Sequence, residues 1–495
     1  MALVAGIKHI RDGIEPQSVL GADMSVVGII GTAEDADANI FPLNTAVDLR
    51  TNETTKRAAL GASGTLVDAL TGISAVIGSS SAARCVLVRV AEGEDAFETI
   101  ANIIGSEANE TGIWAFLNAP EDLGLTPRFV IAPGFTSQSQ SGLGDVTITA
   151  PGSGGTDGTF ALAFTGGTGS GGAGTFTVTS GAVTAVTITD PGAYTAAPTL
   201  DFTASADLTG TTITVALEQL ANGVCAALPT VLDRLRANTV PEGPTNTRQA
   251  WLDWLETLPR SARFFHPLRQ DAKVLDSSGD PVTKPLSPYI VGLYVRQDYG
   301  TDGVPTRSIA NQSVPGLVGV TPRIPFSITD ENSQGQLDIA VSAGIVFRGD
   351  VGVDGSLTDG GFGFWGTDTL AEESEWLFAN VNRMRDYLEL MQVRALRIYL
   401  GKHNLTLQVV QAVLNTMETQ LVRMKALRYI LDYRLGFDQD ANTPENLRLG
   451  YIDLQFEAEE PPVLRKITIH SRRHREALTS LVRNIAVLLG TEVSA

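Results

Sequence analysis

Histidine is the residue type that most often serves as a general base or a metal ligand, and the sequence contains five of them. They are His9, His266, His403, His470 and His474. Only His470 and His474 lie close together, and their spacing of four would place both imidazoles on one face of a helix, where they could chelate a metal ion. His470, however, belongs to the extended-looking sequence ITIH, and neighbouring arginines repel cations. We therefore expect a charged, solvated segment there and no metal site.

Two other patterns are similar to ligand sites but lack the required context. Asp350, Asp354 and Asp359 suggest a calcium loop, yet their spacing fits no EF-hand and Gly/Asp turns are common. Residues 167–172 spell GxGxxG, but a dinucleotide site needs a strand before this motif and a helix after it. No phosphate-binding lysine and no GxSxG serine motif occurs. The sequence predicts no catalytic site and no cofactor, so we expect a protein that is not an enzyme.

The two cysteines, Cys85 and Cys225, are too few for a disulfide scaffold and form no CxxC motif. Cys85 lies in the strand-like sequence RCVLVRV, and Cys225 lies in the helical-looking GVCAALPTVLDRL. Free cysteine in such apolar segments commonly packs as a small hydrophobic residue. Buried thiols are therefore the ordinary interpretation.

Length and composition indicate a folded protein of several domains. The chain has 495 residues, of which 43% are hydrophobic and 18% charged. No apolar stretch approaches the ~20 residues that span a bilayer, so we expect no membrane insertion and synthesis in a cytoplasm. The formal charge of −19 argues against nucleic acid as a partner. Its distribution is uneven, because basic residues concentrate near the C-terminus, which suits head-to-tail self-association.

The segment before residue 137 predicts an α/β unit. Gly and Pro interrupt the first twenty residues, which therefore indicate an extended arm. A short apolar strand in SVVGIIGTA, a helix in TLVDALTGISAVIG and a strand in CVLVRVAEG then alternate, as is typical of α/β folds. A second strand–helix pair at 128–132 and 226–237 is separated by a long stretch, which indicates an insertion.

The inserted stretch, 137–218, consists largely of Gly, Thr, Ser and Ala and has almost no Lys or Arg. Its apolar residues alternate with threonines, as at Val146 and Ile148 and again at Phe176 and Val178. A period of two with Gly-rich turns predicts a small all-β module. We expect this module on an outer surface, where insertions are tolerated.

The C-terminal part predicts two helices, a strand and an arm. Apolar residues between Leu377 and Met424 recur every three or four positions on both sides of a break at 401–404, which predicts an antiparallel helix pair. YIDLQFE, from Tyr451, alternates strictly and predicts a strand. Pro461 and Pro462 end it, and LRKITIH then restarts extended structure. The residues after His474 have helical spacing.

Together these patterns predict an α+β multidomain fold with an α/β N-terminal part, an inserted all-β module, an α+β C-terminal domain and extended arms. The predicted segments are 1–23 (N-terminal arm), 24–136 plus 219–340 (α/β domain), 137–218 (β module), 341–462 (C-terminal domain) and 463–495 (C-terminal arm and extension).

The segment 347–370, FRGDVGVDGSLTDGGFGFWGTDTL, combines a short strand, an arginine, a loop and F-x-F-W-G-x-x-T before the long helix. It resembles the C-terminal region of contractile phage tail sheath proteins. The positions that carry the match are Phe362, Phe364, Trp365, Gly366 and Thr369. SVVGIIGTAEDADANIFPLNTAV resembles the family's opening strand and its Phe-Pro-Leu-Asn-Thr segment. The inserted β module is not part of the family core.

The resemblance implies a structural subunit that polymerises around an inner tail tube as stacked six-membered rings and contracts to drive the tube through a host envelope. Its partners would be further copies of itself, the tail tube protein, and baseplate and tail terminator proteins. It would be found in the virion tail after assembly in the cytoplasm of a host bacterium. A sheath of a phage-like secretion or toxin-injection apparatus is an alternative, as is a host-surface-binding tail component, which the β module suggests.

Short alternating segments isolated by Gly or Pro predict intersubunit arms at 1–20 and 463–476, each in a sheet with a neighbouring subunit's strand. The apolar residues of these arms are Ile7, Ile10, Leu464, Ile467 and Ile469, and the basic residues expected to dock on an acidic neighbour are Arg465, Lys466, Arg472, Arg473 and Arg475. The helix pair and the strand at 451–456 are expected nearest the tube. Because a virion works outside the cell, Cys85 and Cys225 are candidates for a disulfide between neighbouring subunits.

Overall fold

The N-terminal part folds as a four-stranded sheet with helices on both faces. The computed structural model of the chain describes residues 22–78, 81–259, 263–350, 352, 356–358, 360–438 and 440–490. The first elements are strands β1 (Val27–Gly31) and β2 (Ala46–Arg50), helices α1 (Thr54–Ala59) and α2 (Thr65–Ile77), β3 (Arg84–Arg89), α3 (Ala96–Ile104), α4 (Ala119–Asp122) and β4 (Phe129–Ile131). The strand order is β2-β3-β1-β4, with β1 parallel to β3 and β4 and β2 antiparallel to β3. The predicted alternation of strand and helix is confirmed.

Alternate residues of the central strands face two different hydrophobic cores. Ile30 of β1 and Val88 of β3 pack in one core, whereas Ile29 and Leu87, one position earlier on the same strands, pack in the other. All four side chains are at most 1% exposed. The sheet is therefore buried on both faces, which explains the nearly continuous apolar runs of its parallel strands.

The Phe-Pro-Leu-Asn-Thr segment joins β1 to β2 and is fixed to β3. Phe41 is buried, and its carbonyl accepts a hydrogen bond from Arg89 Nε at 2.8 Å. Asn44 adopts a left-handed conformation with φ of 56°, and its side-chain oxygen accepts from the Gly112 amide at 3.0 Å. Asparagine tolerates this conformation better than most residues. The Phe-Pro-Leu-Asn-Thr sequence of this segment thus has a local structural reason.

The insert is an all-β module, as predicted, and its strands extend one residue past the predicted end. They are β5 (Ser141–Ser153), β6 (Gly158–Ala161), β7 (Ala163–Thr165), β8 (Thr168–Thr179), β9 (Ala182–Ala196), β10 (Thr199–Asp201) and β11 (Thr209–Gln219). They form the sheets β11-β5, β6-β8-β9 and β10-β7 around a separate core that includes Phe160, Phe176 and Phe202. The GxGxxG sequence runs into β8, and another strand follows it, so the dinucleotide-binding context is missing.

The middle of the chain completes the body around the first sheet. Its elements are α5 (Gly223–Leu235), α6 (Arg248–Thr257), β12 (Asp271–Leu275), β13 (Pro281–Lys284), α7 (Ser287–Tyr299), β14 (Gln312–Ser313), β15 (Gly319–Thr321), α8 (Gln334–Ile339), β16 (Ile345–Arg348) and β17 (Phe362–Trp365). Two small sheets have the orders β13-β12-β15 and β14-β17-β16. Ile345 and Phe364 pack in the two cores of the first sheet, so packing is continuous across the predicted boundary at residue 340.

The last elements of the body are the predicted helix pair and a two-stranded sheet. They are α9 (Ala379–Leu396), α10 (Leu407–Ala426), β18 (Asp432–Phe437), α11 (Pro444–Arg448) and β19 (Leu454–Glu459). Met384 near the start of α9 shares a core with Met424 near the end of α10, whereas Tyr399 beyond α9 hydrogen-bonds Thr416 at 2.9 Å. These contacts confirm an antiparallel pair.

Two details of the C-terminal predictions were wrong. Leu407, expected on the apolar face of the second helix, is 71% exposed, because only the second half of α10 reaches the core. The strand expected from Tyr451 begins at Leu454, because Tyr451 closes a turn by donating its amide to the Asn446 carbonyl at 3.0 Å. The alternation from Leu454 onward is confirmed.

The chain divides into two units, 1–461 and 462–495. The second unit has no regular structure from 462 to 474 and then forms helix α12 (Arg475–Leu488), which confirms the helical spacing read from the sequence. Within the described residues, no helix has both the length and the apolarity needed to cross a bilayer.

Candidate assembly site

The motif from Phe362 to Thr369 is a packing motif. In β17, Phe364 is 2% exposed and pairs with Val346 of β16, while the Trp365 ring lies 5.9 Å from that of Phe326. A Cβ at Gly366 would lie 2.5 Å from Phe364 Cζ, so only glycine fits beside this ring. The aromatic and glycine positions therefore define one tightly packed strand end.

Thr369 positions the start of helix α9. Its amide donates to the Leu377 carbonyl at 2.8 Å, and its hydroxyl donates to the Trp376 carbonyl at 3.1 Å. Asn382, one turn into α9, donates to the same Trp376 carbonyl at 2.6 Å. The motif thus fixes how the helix pair leaves the body, which is a structural role.

A buried ion pair ties α9 to α7. Arg383 donates to both carboxylate oxygens of Asp298, at 3.2 and 2.5 Å, and also to the Met24 carbonyl at 3.1 Å. Its guanidinium lies 4.7 Å from the centroid of the Phe129 ring. Burial raises the pKa of Asp298, and the charge of Arg383 opposes that rise. Arg383 thus connects α9 to α7, to the segment before β1 and to β4 of the first sheet.

His266 has the residue type of a general base but not the environment of one. Its Nδ1 lies 2.8 Å from Tyr294 Oη and its Nε2 lies 3.2 Å from Asn238 Oδ1, and the side chain is buried. Burial, together with the charge of Arg383, lowers the pKa of His266 to about 3. A buried imidazole with both ring nitrogens engaged serves packing.

Glu242 is a buried carboxylate that fixes the base of the β module. It accepts from the Gly134 amide at 2.9 Å and from the Ser287 amide at 2.7 Å. Its own amide donates to Thr136 Oγ1 at 2.8 Å. Burial raises the pKa of Glu242 to about 7, although the hydrogen bonds from Ser287 and Gly134 oppose the rise. The carboxylate therefore holds the segment before the insert against the start of α7.

The sheet of β18 and β19 has two open edges. Each strand pairs with the other and with no further strand in the described part of the chain. Arg385 of α9 anchors this sheet, because its Nε and Nη2 donate to the two carboxylate oxygens of Glu460 at 2.8 Å and 2.9 Å. Its guanidinium also lies over the Phe456 ring. Unpaired edge groups of this kind can accept a strand from another chain.

The predicted C-terminal arm exposes its apolar side chains. Leu464, Ile467 and Ile469 are 74%, 70% and 83% exposed. His470 lies outside any helix, whereas His474 caps α12 and accepts a hydrogen bond from the Ala477 amide through Nδ1 at 3.1 Å. The two imidazoles therefore do not share one helical face. Arg465, Lys466, Arg472, Arg473 and Arg475 belong to this arm and to the first turn of α12.

Several of the predicted site residues lie outside the part of the chain that the structure describes. Ile7 and Ile10, in the predicted N-terminal arm, lie outside the described residues, as do Asp354 and Asp359 of the suggested calcium loop. Asp350 forms an ion pair with Arg348 at 3.6 Å. Across the described ranges, no group of three or more His, Cys, Asp or Glu side chains could hold a metal ion.

Both cysteines are free and fully buried, on opposite faces of the first sheet. Burial raises the pKa of Cys85 to about 12 and also raises that of Cys225. Deeply buried, protonated thiols react slowly. The disulfide between subunits stays a hypothesis, and this burial argues against it.

The residues that sequence reasoning missed are the ones that connect distant segments. The strand β18 was also missed, although its sequence DYRLGF alternates weakly between polar and apolar residues. Asp298 and Arg383 carried no such signal, because each lies on a largely buried helix and its partner is 85 residues away in the sequence.

Comparison with known proteins fits this architecture. The chain is 32% identical to the major tail sheath protein of Serratia phage KSP20 over 137 residues, which cover 26% of this chain and about a third (34%) of that relative's length. It is 21% identical to the tail sheath protein of Escherichia phage P2 over 474 residues, covering 93% of both chains. No family model matches.

Solved structures agree in fold. The helical sheath of the anti-feeding prophage in the contracted state matches with a TM-score of 0.58 at 14% identity, covering 96% of this chain and all of that chain. The chain is thus similar in sequence to phage tail sheath proteins and in fold to a contractile sheath. The contracted PVC sheath of an extracellular contractile injection system matches with a TM-score of 0.57 at 13% identity, covering 96% of this chain and 99% of that one. The sheath fold therefore spans almost the whole chain, and the predicted α+β class is confirmed.

Proposed function

We propose that the chain is the structural subunit of a contractile tail sheath, which polymerises around an inner tail tube and contracts to drive that tube through a host envelope. The observation that carries the proposal is the combination of an open-edged sheet at the end of the body with an exposed extended arm directly after it. The alignment with the phage P2 tail sheath protein over 93% of both chains supports it. A subunit built this way can polymerise through non-covalent contacts alone.

The arm of one subunit would add a strand to the β18–β19 sheet of the next. Main-chain hydrogen bonds to an open edge supply affinity, and side chains on alternate faces supply specificity. Because Pro461 and Pro462 separate the arm from β19, the arm is disfavoured from continuing its own chain's sheet. Such connections persist while subunits rotate, which a contracting lattice requires. Residues 1–20 are proposed to act as a second arm.

Charge supports the same pairing. Residues 462–495 hold six Lys and Arg and two Asp and Glu, whereas the rest of the chain holds 30 and 53. The exposed side chains of Asp432, Glu457 and Glu459 lie on the β18–β19 sheet beside Arg434. A basic arm is therefore matched to an acidic body, and the contribution grows by repetition because each exposed pair is weak.

The orientation of the subunit follows from where insertions are tolerated. The β module has its own core and emerges between Gln140 and Leu220, whose backbone atoms are joined by a 2.8 Å hydrogen bond. A wall that holds a helical register leaves little room for such a module, so it is proposed on the outer surface. The helix pair and the β18–β19 sheet are proposed nearest the tube.

The same architecture suits the sheath of a phage-like secretion or toxin-injection apparatus, and the fold match to sheaths of two such particles favours this alternative. A host-surface-binding tail component is less well supported, because the aromatic rings of the β module stack inside its core and form no exposed platform among the described residues. Tube, baseplate and terminator proteins are the proposed partners, in a phage or phage-like tail.

Electron microscopy of the purified full chain tests the proposal. Hollow tubes of uniform diameter are the expected result. Solid fibres would favour the host-binding alternative. A protein that stays monomeric at every concentration and salt condition tried would exclude polymerisation as its function.

A further inference from the structure

Helix α12 carries an apolar stripe that is open to solvent. The stripe consists of Leu478, Leu481, Val482, Ile485 and Leu488, which are between 46% and 85% exposed. A 14-residue helix is only marginally stable in water without a partner. An amphipathic helix of this length therefore needs a surface to bury its stripe.

The width of the stripe indicates what kind of surface that is. Leu478, Leu481 and Ile485 follow the three–four spacing of a helix–helix seam, but Val482 widens the stripe by a further position. A stripe of this width faces a body, whereas a two-stranded coiled coil uses a narrower seam. Arg472 and Arg473 lie just before α12 and Arg475 and Arg483 lie within it, so the surface should also be acidic.

The last residue of β18 and the segment from there to β19 offer such a surface; residues 437–453 are called the hairpin cap below. Its exposed large side chains are Phe437, Leu447, Leu449 and Tyr451, which are 50%, 37%, 68% and 64% exposed. Its acidic residues are Asp438, Asp440, Glu445 and Asp453, and Arg448 is its one basic residue, 3.8 Å from Glu445. Apolar area within an acidic surround matches the stripe and arginines of α12.

The hairpin cap is held in a defined shape. Asn442 donates to the Asp453 carbonyl at 2.8 Å and accepts from the Asp453 amide at 2.8 Å. Asn446 donates to the Ala441 carbonyl at 2.7 Å, and Gln455 of β19 donates to Asp438 Oδ2 at 3.2 Å. Exposed leucines on a preformed platform lose little entropy on binding.

Chain length brings the two surfaces together. If residues 464–470 lie along the β18–β19 sheet of a neighbour, residues 471–474 separate them from α12. Four residues span at most about 14 Å. Helix α12 must then land at an end of that sheet, and the hairpin cap is one of its two ends.

We propose that α12 of one subunit docks on the hairpin cap of a neighbouring subunit and locks the arm in place. This inference rests on the proposed sheath function, because it requires the arm to reach a neighbour. The occupant of the hairpin cap is thus a second copy of this chain.

Cross-linking in assembled tubes tests the docking. The variant with Leu449→Cys and Leu481→Cys places one thiol on the hairpin cap and one on the apolar stripe. Its tubes should give a ladder of multimers on mild oxidation. The matched control, Leu449→Cys with Ser480→Cys, places the second thiol on the opposite face of α12 and should give far less. A ladder of equal strength from both would contradict the proposal.

A second pair of variants measures the energy of docking without thiols. Leu481→Asp with Ile485→Asp should raise the critical concentration for assembly about tenfold or more, because burial of two large aliphatic side chains is lost. Ser480→Asp should leave it unchanged. Equal critical concentrations for all three proteins would contradict docking.

The remaining outcomes separate the two proposals. Tubes of the Leu449→Cys and Leu481→Cys variant that give no ladder, or a bridge formed only inside one subunit, would overturn the docking and leave the sheath function standing. Cross-linking of Leu481→Cys alone into dimers would show helix–helix pairing and also overturn it. Failure of the wild type to form tubes would instead overturn the sheath function.

Discussion

Arg383 and Asp298 form a two-point ion pair in which both side chains are at most 1% exposed. The pair joins α9, whose start is positioned by Thr369, to α7, which packs on the first sheet. Two charges in such a place need each other, because each would otherwise be buried without compensation. The pair therefore gives the helix pair a fixed attachment to the body.

Removing one member of this pair should strongly destabilise the fold. Asp298→Asn leaves the Arg383 charge without its partner and is expected to lower the free energy of unfolding by roughly 3–5 kcal/mol. The double variant Asp298→Leu with Arg383→Met should recover much of the loss. Chemical denaturation of unassembled protein measures both.

The exposed ion pair of Lys425 and Asp432 supplies the control. Asp432→Asn should have little effect, because solvent screens that pair. Equal losses from Asp298→Asn and Asp432→Asn would show that burial of the first pair carries no special weight.

Glu242 predicts a pH dependence of stability. Its pKa is about 7 in the folded chain against an ordinary 4.5, so the folded state holds a proton that the unfolded state releases between these values. The free energy of unfolding should therefore fall as pH rises through this window, by up to about 3 kcal/mol. Glu242→Gln cannot titrate and should remove this component.

Thermal unfolding between pH 4.5 and 7.5 is the measurement. The difference in Tm between wild type and Glu242→Gln cancels other titrating groups, and the exposed Glu256→Gln serves as the matched control. A difference that does not vary with pH would refute the shifted pKa.

Sequence reasoning was strongest where local chemistry determines structure. The period of two in the insert and the helical spacing around Met384 each act within a few residues, and both predicted the observed elements. The Asp298–Arg383 pair and the anchoring of Glu460 by Arg385 join segments that are distant in sequence. Leu407 shows that local spacing can also mislead. Its position in the helical pattern predicted a buried side chain, but the core does not extend to the first half of α10.

The β module should be dispensable for assembly. Replacing residues 141–219 by Gly-Gly between Gln140 and Leu220 should leave tubes intact, since these two residues already adjoin through a 2.8 Å hydrogen bond. Electron microscopy should show tubes of smaller outer diameter and unchanged inner diameter. Loss of tubes from a variant that still unfolds cooperatively would place the module at a subunit contact.

Assembly should slow as salt rises, because the basic arm meets an acidic body. Arg472→Gln with Arg473→Gln should weaken that dependence, whereas Arg234→Gln, which removes an exposed pair with Glu107 on the body, should not. Light scattering at several NaCl concentrations gives the rates. An assembly rate that does not respond to salt in the wild type would leave the charge of the arm without this role.

A cryo-electron microscopy map of tubes grown from the purified full chain tests the central claim most directly. It should show a helical wall of sixfold rings around an open lumen, with residues 464–470 of each subunit hydrogen-bonded to an edge of the β18–β19 sheet of a neighbour. A map in which those residues pack on their own subunit, or an assembly without a lumen wide enough for an inner tube, would contradict it.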